Sequence, residues 1–273
     1  MLSEPISKAS PHFSPVSPVA FSKRAEKTSN PLADSAEAAY RAVSELLSSS
    51  VDASPARSRT KSCVQQSMHD LETAIDRYPP EQIAMSFNGG KDCQVMLILF
   101  LAVLHLHPDY LARIRKIPCV YVRSANPFPE LEDFIKQCAV TYSLDIQWIS
   151  LPLKQALQEY LKSIPSIKAM LIGTRRTDPH GEHLTTFSPT DGDFPQFMRI
   201  CPILDWKLAT IWDFLTGANI PYCSLYDKGY TSIGSTTDTK PNPALLAETE
   251  NGSVSYLRGP ELLDDSKERL GRD

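Results

Sequence analysis

The run Ile83-Ala84-Met85-Ser86-Phe87 leads straight into Asn88-Gly89-Gly90-Lys91-Asp92-Cys93 and then into ten uninterrupted apolar residues, Val95 to Leu104. Two adjacent glycines between a buried strand and a helix N-terminus let backbone N–H groups turn toward one point. The helix end adds about half a positive charge there. A phosphate or pyrophosphate is the natural guest of such a loop, and Lys91 supplies a full charge for it. Asp92 conflicts with an anion unless it carries Mg²⁺ or hydrogen-bonds the loop. Neither GxxxxGK[ST] nor GxGxxG is present, so the Walker and dinucleotide-fold readings lose their main support. The plain alternative is an ordinary tight strand-to-helix turn.

Further candidates lie downstream. Asp178 follows the strand-like run Ala169 to Gly173, at what would be the carboxyl edge of a parallel sheet, where open α/β sheets bind ligands. Arg175 and Arg176 are candidate phosphate forks, since guanidinium is always charged and bidentate; a solvated loop pair is the alternative. His180 and His183 have HxxH spacing, yet no third ligand or cysteine pair accompanies them, which favours a polar loop over zinc. Trp206 and Trp212 flank a helix start and read as core, with a ligand-stacking role open for Trp206.

The elements that must position these residues are legible from periodicity. Apolar runs at Ile83 to Phe87, Pro118 to Arg123, Asp145 to Leu151 and Ala169 to Gly173 alternate with helical patterns. Those helices span Asp92 to His107, Glu130 to Tyr142, Leu153 to Ser163 and, after an irregular stretch, Leu208 to Thr216. Strand and helix taking turns predict an α/β fold, a parallel twisted sheet with helices on both faces. The helix after Phe87 is apolar nearly all round, as expected at the centre of such a fold. Segment 175–199, rich in Pro, Gly, Asp and Thr, reads as a long functional loop, and the chain from Ala218 onward as mostly irregular.

Two amphipathic helices are expected before the sheet, one from Leu32 and one from about Ser62 to Tyr78, stopped by Pro79-Pro80. The first 60 residues hold 14 serines and 6 of the 22 prolines. With few large apolar side chains before Tyr40, residues 1–32 are expected to form a disordered tail; as a mitochondrial address its cations are weak. The expected organisation is tail 1–32, helices 33–80 packed on the core, a nucleotide-binding α/β domain 81–217 and a C-terminal extension 218–273.

Composition narrows the class. The chain has 273 residues, with 28 Lys+Arg against 32 Asp+Glu and a net charge of -4. That balance excludes a broadly basic nucleic-acid-coating surface but allows a local cationic pocket. The longest apolar run is about half of the ~20 residues a membrane span needs. Six scattered cysteines without a CxxC pair fit reduced thiols in the cytoplasm.

The local context of the loop resembles the PP-loop, SGGxDS, of the ATP pyrophosphatase and PAPS reductase-like superfamily, with Asn88 in place of the first Ser and Cys93 in place of the last. The run Ser86 to Cys93, SFNGGKDC, is similar to eukaryotic FAD synthases, the FMN adenylyltransferases. Three further stretches support that branch: Phe128-Pro129-Glu130, Leu171 to Pro179 (LIGTRRTDP) and Cys201 to Trp206 (CPILDW). The resemblance covers roughly residues 80 to 273 and implies an adenine nucleotide alpha hydrolase-like, Rossmann-like fold. It also implies Mg²⁺-dependent transfer of AMP from ATP to FMN, giving FAD and pyrophosphate, by a monomer acting on small molecules.

On that resemblance ATP is held by Ser86, Asn88, Gly89, Gly90, Lys91, Asp92, Gly173 and Arg175, with Asp92 also the metal ligand. Asn88, Lys91, Asp92 and Arg269 form the catalytic set. FMN falls to Asp178, Asp191, Gly192, Asp193, Trp206, Arg269 and Arg272. The Asp191-Gly192-Asp193 turn could bind a metal or accept hydrogen bonds from the uracil-like edge of a flavin; the resemblance favours the second. Arg269 and Arg272, three apart near the end, would engage the flavin-nucleotide phosphate as a mobile clamp. A PAPS reductase would need a nucleophilic cysteine near the C-terminus, but the last is Cys223; a tRNA-modifying enzyme would want a basic face; a relic binding module remains the non-enzymatic alternative. The leading reading requires one cavity joining the Asn88 loop to Arg269 and Arg272.

Overall fold

The computed structural model describes residues 30–49, 55–248 and 253–272. Its centre is a short strand, β1 (Ile83–Ser86), apolar and buried up to its closing serine and flanked by parallel strands β2 (Ile117–Val122) and β4 (Ala169–Ile172). Beyond β2 lies β3 (Leu144–Ile149), and beyond β4 lies β6 (Met198–Ile200), both parallel, with β5 (Phe187–Pro189) antiparallel at the edge. The spatial order is β3-β2-β1-β4-β6-β5. The chain therefore builds outward from β1 in one direction and resumes on β1's other side at β4. The carboxyl ends of β1 and β4 border the crevice left by that reversal, the place where open α/β sheets hold ligands.

Helix α3 (Lys91–Leu106) follows β1 and is buried along nearly its whole length; Val95 through Leu104 are at most 2% exposed. Each such side chain contributes about 1.5–3 kcal/mol of burial, so α3 is the axle of the fold. Helix α1 (Pro31–Ser48) lies along it, and α2 (Pro55–Arg77) packs on α3 and on α7 (Leu208–Gly217). On the opposite face α6 (Leu153–Ser163) closes a second, smaller core with Ala84, Val120, Met170 and Phe197. The short α4 (Pro108–Ala112) and the connecting α5 (Pro129–Thr141) complete the layers. The fold is the α/β class expected, with helices on both faces of a mostly parallel sheet.

Three details differ from the sequence reading. Helix α2 starts at Pro55 rather than near Ser62, because proline at the first helical position suits a helix whose opening turns are polar and lack a periodic signal. The segment 175–199 is not all loop: its end folds into the β5/β6 hairpin, whose three-residue strands are too short to show alternation. The expected tail lies outside the described residues up to position 29, and α1 already begins at Pro31. Among the described residues no helix is long and apolar enough to cross a membrane.

After α7 the chain runs through short 3-10 turns and a small hairpin, β7 (Leu246–Glu248) with β8 (Val254–Tyr256), then returns to the carboxyl edge of the sheet. Its last stretch is firmly tied, contrary to the expected mobile clamp. Lys240 N–H donates to the Gly271 carbonyl, Thr231 Oγ1 to the Glu268 carbonyl at 2.6 Å, and Asn242 Nδ2 to the Lys267 carbonyl at 2.8 Å. Arg272 also bridges to Thr239.

Candidate active site

A cavity of about 280 Å³ opens at the carboxyl ends of β1 and β4, near the lower end of small-molecule sites. Its wall carries Ser86, Asn88, Gly90, Lys91 and Asp92 from the first crossover, and Gly173 and Asp178 from beyond β4. Glu268, Arg269 and Arg272 come from the C-terminal stretch. The loop is thus joined to both arginines through one space, as the sequence reading requires.

The loop owes its shape to two glycines. Gly89 adopts φ +71°, a left-handed conformation, and a Cβ there would come within 2.7 Å of Ile135 Cγ1 on α5. At Gly173, a Cβ would stand 3.0 Å from the backbone nitrogen and sulfur of Cys93, so glycine lets the end of β4 approach the start of α3. Asn88 Oδ1 accepts the Gly90 N–H at 2.9 Å, and the Lys91 N–H donates to the Tyr226 hydroxyl at 3.0 Å. Two of the loop amides expected to face a phosphate therefore have internal partners, and Asn88 orders the loop.

Beneath the loop four charges close a ring. Lys91 Nζ lies 3.0 Å from Asp92 Oδ2 and 2.5 Å from Glu268 Oε1; Arg175 Nη2 lies 2.5 Å from Glu268 Oε2, and its Nε 2.9 Å from Asp92 Oδ1. This last contact is an ion pair not aligned for a hydrogen bond. Arg175 Nη1 also reaches Asp265 at 3.4 Å. Burial opposes the charges of Lys91 and Arg175, but Asp92 and Glu268 outweigh it and raise both pKa values. Asp92 is likewise penalised by burial, yet Lys91 and Arg175 hold it below the usual carboxylate range. Asp178 is different: burial pushes its carboxyl up, and Oδ2 accepts the Arg175 N–H at 2.8 Å.

The remaining expected residues divide. Arg175 is fully buried behind Asp92 and Glu268 and does not line the cavity, so it is no open phosphate fork. Arg176 is spent on Asp205 and on the Glu182 and Leu184 carbonyls. Trp206 is 3% exposed, donates to Ser67 Oγ at 2.9 Å and packs edge-on against Phe214, so it is core and not a flavin platform. Asp191, Gly192 and Asp193 do not line the cavity; they form an exposed turn in which Asp191 pairs with Arg199 and Asp193 with Lys154. The next residue, Phe194, packs into the same cluster as Val122, Ile149 and Ile172, the closing residues of β2, β3 and β4.

Arg269 is exposed and has no ion-pair partner among the described residues, whereas Arg272 leans on Asp238 and Ser232. Cys93 is buried and its thiol is pushed up to about 12 by burial; Cys223, likewise buried, is pushed up to about 11. Neither is a ready nucleophile. No group of three or more metal-ligating side chains occurs among the described residues, which bears on His180 and His183 too. Sequence reasoning passed over Glu268 and Tyr226. Only Glu268's place beside Arg269 could have drawn attention to it, and nothing in the local sequence marks Tyr226.

Residues 82–152 and 150–241 match the phosphoadenosine phosphosulfate reductase domain family. The chain is 48% identical over 211 residues to a probable FAD synthase of Schizosaccharomyces pombe, covering 76% of this chain and 77% of that one. The chain belongs to the FAD synthase family. A probable FAD synthase of Caenorhabditis elegans is 40% identical over 203 residues, 74% of this chain, and the chain spans only 38% of that longer protein. Among solved structures it resembles Candida glabrata FMN adenylyltransferase in complex with FMN and the ATP analogue AMPCPP, with TM-score 0.83 and 31% identity over 89% of this chain and 97% of that one. The same protein in complex with FAD and inorganic pyrophosphate matches equally well.

Proposed function

We propose that this chain is an FMN adenylyltransferase, joining ATP and FMN into FAD with release of pyrophosphate. The observation that carries the reading is the single cavity in which the Asn88–Lys91 loop and the C-terminal Arg269 and Arg272 face one another. The reaction brings two anions together, so charge neutralisation and in-line placement are the main tasks. A phosphate monoester has its second pKa near ~6 and is already largely deprotonated at neutral pH, so no general base is required.

In this reading the triphosphate lies against the loop, with Lys91 on its outer phosphates. Arg269, with no ion-pair partner among the described residues, and Arg272 draw in the phosphate of FMN from the C-terminal wall. Asn88 keeps the loop open to the nucleotide. Arg175 acts from behind, fixing Asp92 and Glu268 rather than touching substrate.

The flavin ring would extend past Asp178 toward the turn at Asp191, where Phe194 reaches the same strand ends. Asp191 then serves the flavin edge by way of a loop outside the phosphate cavity. Mg²⁺ fits the oxygen donors present: nucleotide sites hold it by one or two carboxylates plus substrate phosphates, so a three-carboxylate cluster is not needed. Asp92 and Asp178 would hold it, Asp178 being the freer because both oxygens of Asp92 already face cations. When bound, the ion would neutralise charge developing on the phosphates. A monomer working on small molecules in the cytoplasm, without nucleic acid or membrane, completes the reading; the net charge of -4 argues against a broadly basic nucleic-acid-binding face.

The test is incubation of purified protein with FMN, ATP and Mg²⁺, followed by separation of flavins and assay of pyrophosphate. Stoichiometric FAD and pyrophosphate are expected. Transfer of AMP to another acceptor with FMN inert would overturn the reading.

A further inference from the structure

Glu268 is the buried charge that the reaction as described leaves without a task. It is 5% exposed, sits at 2.5 Å from both Lys91 Nζ and Arg175 Nη2, and lines the cavity where the phosphates of ATP must lie. Its backbone is pinned by Thr231, and the next residue is Arg269. A carboxylate there occupies Lys91, a cation on the cavity wall that an entering polyphosphate would otherwise grip, and holds Arg175 behind it.

We propose that Glu268 is a positioning residue that acts through Lys91 as a built-in anion, competing with phosphate for that lysine so that pyrophosphate leaves after transfer. This deepens the adenylyltransferase reading and rests on it. The pairing is unequal. Without the Glu268 carboxylate, Arg175 keeps Asp92 at 2.9 Å, Asp265 at 3.4 Å and Asp178 at 4.0 Å, whereas Lys91, on the cavity wall, is left with Asp92 as its carboxylate partner. A buried cation that loses one of its two carboxylates binds more tightly an anion that can reach it. Pyrophosphate and the β- and γ-phosphates of ATP share that chemistry, and both come within reach of Lys91 on this wall. The carboxylate also ties Arg269 to the loop, since it anchors the residue before it to the loop lysine.

The expected behaviour of Glu268→Gln is therefore divided. Pyrophosphate should bind about tenfold or more tighter, the size expected when a close like charge is removed from a partly buried site. The turnover of FAD formation should fall, because product release slows and Arg269 loses its tether. The reading is checked in two arms. Thermal unfolding with and without pyrophosphate should show a larger pyrophosphate-induced rise for Glu268→Gln than for the parent, even if the variant starts lower. Product inhibition of FAD formation should show pyrophosphate inhibiting the variant at about a tenth of the parent's concentration. Glu268→Asp, which keeps the charge, should restore parental pyrophosphate affinity.

Equal or weaker pyrophosphate binding by Glu268→Gln overturns the inference, as does Glu268→Asp matching Glu268→Gln; a merely structural role would weaken both. If the parent makes FAD while these arms fail, the inference alone falls. If the parent makes none, the adenylyltransferase reading falls first. Should Glu268→Gln not fold, the Glu268→Asp and parent arms are repeated with Lys91→Met. On the inference that variant loses the pyrophosphate-induced rise; retention of it overturns the inference.

Discussion

Replacing Arg175 by Met removes one of two cations that serve the buried Glu268 and the partly buried Asp92, and the consequence can be worked through. Arg175 is fully buried, within 2.9 Å of Asp92 and 2.5 Å of Glu268. Breaking a buried pair from one side leaves an uncompensated charge and costs about 3–5 kcal/mol. In the parent, Asp92 has a lowered pKa, so its stabilisation is present above its unfolded-state value and is lost as pH falls through the folded one. In the variant Lys91 faces both carboxylates alone, and burial lifts one of them above its unfolded pKa. Such a group costs stability once pH exceeds the unfolded value, and protonation relieves that cost as pH falls. The gap between parent and variant should be about 3–5 kcal/mol near pH ~7.5 and shrink toward pH ~4.5. Urea unfolding followed by far-UV circular dichroism at the two pH values measures it. A loss below about 1 kcal/mol at the higher pH, or one that does not shrink on acidification, would refute the ring as an electrostatic unit.

Gly89→Ala should cost about 2–5 kcal/mol, the sum of a left-handed backbone at a residue with Cβ (about 1–2) and a clash with Ile135 (about 1–3), and should raise the KM for ATP; urea midpoints and initial rates check it. Arg269→Ala, at an exposed side chain with no ion-pair partner among the described residues, should shift stability by less than about 0.5 kcal/mol while raising the KM for FMN about tenfold or more; an unchanged KM would place the flavin phosphate elsewhere.

The fold was legible because its signals are local. Strand β1, the glycine turn and α3 follow one another without interruption, and the uniform apolarity of α3 tells a buried axle from a surface helix. The hairpin of β5 and β6 was not legible, since three residues cannot display a period and what pairs them is tertiary: β6 takes its register from β4, which precedes it by more than twenty residues.

The site divides along the same line. Asn88 to Asp92 announce themselves by composition and by what flanks them, and Asp178 by its place past β4. Arg175 and Arg176 look alike in sequence, yet one points into the ring and the other across the surface to Asp205, a difference only the packed fold decides. Glu268 lies 177 residues from Lys91 in the chain, and no local pattern links an acidic residue in a charged C-terminal run to a loop lysine. Its burial follows from neighbours far away in sequence: Thr231 and Asn242 hold its backbone against the core, so the carboxylate has nowhere to go but onto the two cations. The sequence thus displays the groups that meet substrate, while the group that balances their charge emerges only when the two ends of the catalytic region are folded together.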